Sequence, residues 1–161
     1  MTGNPRFPEE GPADDLTAVH VDEFLPHPPA KVWRALTEPE LIARWLMPND
    51  FKLEIGHRYT MHTMPVPAAR FSGVVACEVL EFETDRMLRI SWADTGREND
   101  DGLDSTVTWR LEPEGRGTRL FLDHEGFDPR DPLQRLSRRI MGGGWKSHLF
   151  RNLESLLAHL P

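Results

Sequence analysis

Only one cysteine, Cys77, stands in a chain of 161 residues. A single thiol excludes an intramolecular disulfide framework and any zinc site built from several cysteines. It suits a reducing cytoplasm, which is the expected location. Long apolar runs are also missing. No stretch approaches the roughly 20 residues needed to cross a bilayer, and the N-terminal MTGNPRFPEEGPADD has no cationic segment leading into an apolar one. Neither membrane insertion nor secretion is expected. Basic excess is absent too: 26 acidic residues outweigh 19 Lys and Arg, for a formal charge of -7. That leaves no footprint for a phosphate backbone, so no nucleic acid partner is expected. No glycine-rich loop lies between a strand and a helix. The run Gly142-Gly143-Gly144 follows a helical pattern, so it is no fingerprint for a dinucleotide or phosphate.

What is present is material for a core. Five Trp and eight Phe, within a hydrophobic fraction of 39%, are enough for one globular domain. Residues 1–15 are rich in Pro, Gly, Glu and Asp and offer only Phe7 for burial, so a disordered tail is expected before a single domain at 16–161. LTAVHVDEF (16–24) reads as a strand, with Val19 and Val21 opposing His20, Asp22 and Phe24. Two short helices follow. Val32, Trp33 and Leu36 form one apolar face, and Leu41, Ile42, Trp45 and Leu46 form the next. Thr37 and Glu40 have the spacing of a capping box at the second start.

From Phe51 to Phe127 the pattern is a meander of β runs, the first being FKLEI, separated by turn residues. Short connections favour antiparallel pairing with one half-buried face. Val107 and Trp109 alternate with Thr106, Thr108 and Arg110, and Arg89 and Arg110 are expected to face outward. Asp131 and Pro132 then supply an N-cap and a first helical residue. Apolar residues recur at helical steps from Leu133 to Leu160. The three glycines place a break in this pattern, giving helices over 132–141 and 144–160. The fold class is α+β: a curved antiparallel sheet wrapped around a long C-terminal helix, with two short helices after strand one.

Residues able to do chemistry are scattered. His57 and His62 are an odd number of positions apart on one expected strand, which sends them to opposite faces. Asp123, His124 and Glu125 alternate likewise and read as a solvated strand end. Ser91 and Ser105 lack the glycines of a nucleophile elbow, and Cys77 lies in an apolar strand, so all three read as structural. No metal and no cofactor are expected. His148, three residues after Trp145, has two readings, as a base or hydrogen-bonding group over a cavity and as a polar residue at the groove edge. The acidic loop ADTGRENDDGLDS reads as a solvated hairpin rather than a lid.

In their order, VDEFLPHPPAKVWRALTEPELIARWLMP, FSGVVACEVLEF, RMLRISW, TVTWRLEPEGRGTRLFLDHEGF and GGGWKSHLFRNLESLLAHL resemble the SRPBCC (START-like, helix-grip) superfamily. Within it they are similar to the branch of heat-shock-protein ATPase activator homologue C-terminal domains. The resemblance runs from about residue 16 to 160 and carries no catalytic residue. Trp45-Leu46 and Gly56-His57 stand where many members have paired tryptophans and paired glycines, so pocket shape is not carried over. What the resemblance implies is a sheet gripping the last helix over an apolar cavity, holding a small apolar, aromatic or lipid-like ligand. The residues expected to line that cavity are Trp45, Tyr59, Met61, Phe71, Trp92, Trp109, Gly143, Trp145, His148 and Leu149, with core filling as the other reading of any single aromatic among them. Two other functions belong to the same resemblance. One is a cyclase or hydratase-like enzyme using His148, or Asp22 and His20, as acid-base groups. The other is a stress-response module with a chaperone as partner. Monomer and homodimer both stand.

Overall fold

The computed structural model describes residues 15–94 and 103–161. The expected tail therefore lies outside the described residues, apart from Asp15, and so does most of the acidic loop. Strand β1 (Ala18–Leu25) leads into helices α1 (Pro29–Thr37) and α2 (Pro39–Trp45). Then come β2 (Arg58–His62), a 3-10 turn (Pro67–Ala69), β3 (Val74–Glu83), β4 (Met87–Asp94), β5 (Ser105–Glu114) and β6 (Gly117–Glu125). Helices α3 (Pro132–Lys146) and α4 (His148–His159) end the chain.

Among the described residues, six strands form one antiparallel sheet in the order β1-β6-β5-β4-β3-β2. The five strands β2 to β6 each pair with the next along the chain as a meander, and β1 closes the far edge against β6. The register of β3 on β4 shifts between Val79 and Glu81, an irregularity of the kind that increases local bend. Close approach also shapes the curve. A side chain at Gly117 would place its first carbon 2.5 Å from the Leu25 carbonyl, so only glycine lets β6 start beside the end of β1. One face of the sheet carries α1, α2, α3 and α4, and between the layers lies the core. This is the helix-grip architecture.

Alternation accounts for most of the inward set. On β1, Val19 and Val21 are buried while His20 and Asp22 are exposed; on β6, Leu120, Leu122 and His124 face in. Arg89 and Arg110 point outward as expected: Arg89 donates to Thr108 Oγ1 at 3.1 Å and pairs with Glu81 at 3.0 Å. Arg110 lies 4.8 Å over the Phe121 ring. At the start of α3, the Asp131 side chain accepts from the Leu133 amide with Pro132 in the first turn.

Three expectations are corrected. Phe51–Ile55 is a turn-rich segment and not a strand. Asn49 Oδ1 accepts the Phe51 amide, and the Val79 pairing is taken up by Gly56 and His57, so the segment buries Phe51 without laddering. Thr37 does not cap α2. Its hydroxyl donates back to the Trp33 carbonyl at 2.7 Å, and the N-cap is Glu38, with no side-chain bond. The helix break falls at Ser147, not at the glycines. Gly142, Gly143 and Gly144 are ordinary helical residues, and positive φ occurs elsewhere, at Gly56, Gly73, Gly115 and Gly126. Burial of Trp145 holds α3 together past them, and Ser147 then leaves the helix at φ -121, ψ -96.

Candidate functional site

The inner face of the sheet meets the helices along a seam of tryptophans. Trp45, at the end of α2, is fixed by its indole N–H, which donates to the Ala35 carbonyl at 2.8 Å. Trp109, from β5, stands opposite. These two side chains wall two small voids of about 10 Å3 each. One also borders Leu36, Tyr59, Met61 and Ile90; the other borders Val21, Leu122, Trp145, Phe150 and Leu153. A void of that size has room for about one water and no ligand. Among the described residues, side chains fill the seam around Trp45 and Trp109 apart from these two voids.

At one end of the seam, Tyr59 stacks on Phe51 at 5.2 Å between ring centres and on His57 at 5.9 Å. Its cross-strand partner is Cys77. Burial pushes both groups up, Cys77 to about 12 and Tyr59 far above the ordinary phenol range. Neither ionises near neutral pH. Both therefore behave as core residues with a weak polar handle.

The other end is polar, and it escaped the sequence reading. His124 is completely buried, not solvated. Leu120 and Leu122 precede it at two-residue steps on the inner face, and extending that alternation by one step would have placed it. Trp145 Nε1 lies 3.0 Å from His124 Nδ1, and Ser105 Oγ lies 3.0 Å from its Nε2. Ser105 Oγ also sits 2.6 Å from the Trp92 carbonyl. An indole nitrogen only donates, so Nδ1 is the acceptor. A carbonyl only accepts, so the serine proton goes to Trp92. The remaining proton must be on Nε2, donated to Ser105. The chain Trp145 to His124 to Ser105 to the Trp92 carbonyl thus has one consistent direction and fixes one tautomer.

That direction decides the chemistry. A general base for Ser105 would need a lone pair at Nε2, where His124 carries its proton. Burial also pushes the imidazole down to about 3, so it stays neutral. Ser105 and His124 form a structural relay and not a nucleophile with its base. Around them pack Trp92, at 5.3 Å between ring centres, and Phe127, at 4.8 Å.

The structure brings Trp45, Tyr59, Met61, Trp92, Trp109 and Trp145 into this interior, all buried. Phe71 and Leu149 are half-buried against its margin. Gly143 and His148 are elsewhere. Gly143 is exposed and lines a solvent-facing groove of about 210 Å3 with Val19, Arg138, Arg139, Gly142 and Lys146. His148, the first residue of α4, is exposed because the break at Ser147 turns it away from the seam. His20 and Asp22 lie on the outer sheet face, paired with Asp123 at 2.6 Å and with Arg119 at 3.3 Å. Among the described residues, no three of His, Cys, Asp and Glu come together to hold a metal ion. Nor is any helix there long and apolar enough to cross a membrane.

Comparison with known proteins extends this. Protein MLL2253 from Mesorhizobium loti has the same fold with a TM-score of 0.77 and 37% identity, over 89% of this chain and 98% of that one. CalU16 from Micromonospora echinospora gives 0.67 and 25%, over 88% and 76%. Protein BH1534 from Bacillus halodurans gives 0.66 and 26%, over 87% and 96%. A search of curated proteins returns no match. A family model described as Activator of Hsp90 ATPase homolog 1-like protein matches residues 26–158. With that match over the helix-grip core, the chain belongs to the Activator of Hsp90 ATPase homolog 1-like family of the SRPBCC superfamily.

Proposed function

We propose that the chain binds one small apolar or aromatic molecule between the sheet and helices α3 and α4, in a form more open than the packed one. The observation that carries this reading is the pair of voids sharing Trp45 and Trp109 as a wall. Among the described residues, two packing defects lie along this one aromatic seam, and separating the layers there exposes a lining almost wholly apolar. Among the described residues, Tyr59 carries the one hydroxyl around either void, beside the indole N–H groups of the tryptophans.

Binding is favoured over an acid-base enzyme of the same fold. Such an enzyme needs ionisable groups aimed at the substrate. His148, His20 and Asp22 face solvent, and His124 is held neutral with both nitrogens engaged. Thermal denaturation in the presence of fatty acids, sterols and polyaromatic hydrocarbons tests the proposal. A ligand that binds only the folded state raises Tm with its concentration. A flat Tm with all three classes, up to their solubility limits, overturns it.

The family's description supports a second reading, a chaperone partner. Its test is whether the purified chain changes the ATP turnover of Hsp90 from the same cell. Unchanged turnover removes it.

A further inference from the structure

We infer that the site proposed above selects aromatic ligands bearing a hydroxyl, phenols first, by taking their proton donor at Nδ1 of His124, with Trp145 as the plug that gives up that nitrogen. The inference rests on the binding reading and names the ligand class that reading leaves open.

His124 is held as a ready acceptor by the sheet. It sits on β6, between β1 and β5, opposite Val19 on one side and Val107 on the other. Its Nε2–H is committed to Ser105, and Ser105 to the Trp92 carbonyl. Those bonds belong to β4, β5 and β6, so they persist whatever the helices do. The tautomer that presents a lone pair at Nδ1 is therefore set before any ligand arrives.

Trp145, which occupies that lone pair, sits in the last turn of α3. Three glycines precede it and the break at Ser147 follows two residues later. Packing does not require glycine at any of the three. A first side-chain carbon at Gly143 would meet nothing within 4 Å; at Gly142 and Gly144 it would make only ordinary contacts, at 3.5 and 3.7 Å. Alanine would fit and would favour the helix. What the glycines do is lower the cost of bending α3 next to Trp145. Trp145 also borders the second void, beside Trp109. Withdrawing its indole joins the indole's own space to that void and lays His124 Nδ1 open to it.

A buried acceptor stripped of its donor is unfavourable. A hydrocarbon that displaces Trp145 leaves Nδ1 in that state. A phenol of the same shape restores the bond, and its ring replaces the indole against Trp92 and Trp109. Discrimination between ligands with and without the hydroxyl follows, of about tenfold.

The test uses 1-naphthol and 1-methoxynaphthalene, which share a ring system and differ in the donor. Calorimetric titration of the wild-type protein gives both affinities. In parallel, 15N-correlated spectra follow the five indole N–H signals, with that of Trp145 assigned by its loss in Trp145→Phe. Expected are about tenfold tighter binding of 1-naphthol, a shift of the Trp145 indole signal as it binds, and equal affinities in His124→Leu if that variant folds. Equal affinities in the wild type overturn the inference and leave the binding reading standing. A preference for 1-naphthol with the Trp145 signal unmoved also overturns it, since the hydroxyl is then recognised elsewhere. No binding of either compound overturns the inference together with the reading it rests on.

Discussion

Nε1 of Trp145 and Nδ1 of His124 lie 3.0 Å apart, and this bond ties the last turn of α3 to strand β6 across the interior. Replacing Trp145 by Phe keeps an aromatic ring in place and removes the donor. The imidazole is then buried with an unmet acceptor, which costs about 1–3 kcal/mol beyond the lost ring area. Urea unfolding of Trp145→Phe checks this. A loss no larger than that of Trp109→Phe, measured alongside, would mean the bond contributes nothing.

The same histidine sets a pH dependence. Burial holds it at about 3 in the folded chain, against 6.5 for an ordinary imidazole. As pH falls below about 6.5 the unfolded chain takes up a proton that the folded chain refuses. Stability is therefore at its full value above that point and declines on acidification, by up to about 1.4 kcal/mol per pH unit, until the folded group titrates near 3. Unfolding free energy measured from pH 7 to 4 should show this slope. In His124→Gln the slope should flatten, because glutamine takes no proton.

How much of this was legible in the sequence depends on the kind of signal. Alternation at Val19 and Val21, the β runs from Arg58 onward and the Asp131-Pro132 start all report local preferences that the tertiary structure keeps. The interior positions of Trp45, Trp92 and Trp109 follow from the same rule. His124 did not, because three polar letters in a row resemble a strand end, and only the two-residue step from Leu122 marks it as buried. Gly142–Gly144 misled in the opposite sense. Their propensity predicted a break, but one buried indole at Trp145 outweighs a penalty of about 1 kcal/mol per glycine. Whether the seam is open or filled depends on how large side chains from separate elements meet, and no local pattern records that.

Since Gly143 is helical and its neighbourhood is empty, Gly143→Ala should stabilise the fold by about 1 kcal/mol. A higher urea midpoint with an unchanged slope is the expected result. Gly143→Leu should weaken ligand affinity no more than Gly143→Ala does, because its side chain would enter the outer groove and not the seam and so acts only by stiffening α3. A variant less stable than wild type would show that α3 needs flexibility there to fold.

Cys77 should be inert in the native state. Its thiol is buried and pushed up to about 12, which leaves almost no thiolate at pH 8. Reaction with a disulfide reagent such as 5,5'-dithiobis(2-nitrobenzoate) should be slow in buffer and complete in denaturant. Fast native labelling would place the β2–β3 edge among regions that open readily.

Trp109 lines both voids together with Trp45, so Trp109→Ala should enlarge them toward one another into one cavity. Removing so large a buried side chain costs about 3–5 kcal/mol, most of it because the surroundings close only partly over the space. An apolar cavity of this kind stays dry and accepts small apolar molecules. The variant should accordingly melt well below wild type alone, yet recover more than wild type when benzene or naphthalene is added. Thermal denaturation with and without these probes measures both terms. If the probe-induced rise is no larger than in wild type, the helices have collapsed into the space, and Trp109 would then be spacing the two layers as well as filling between them.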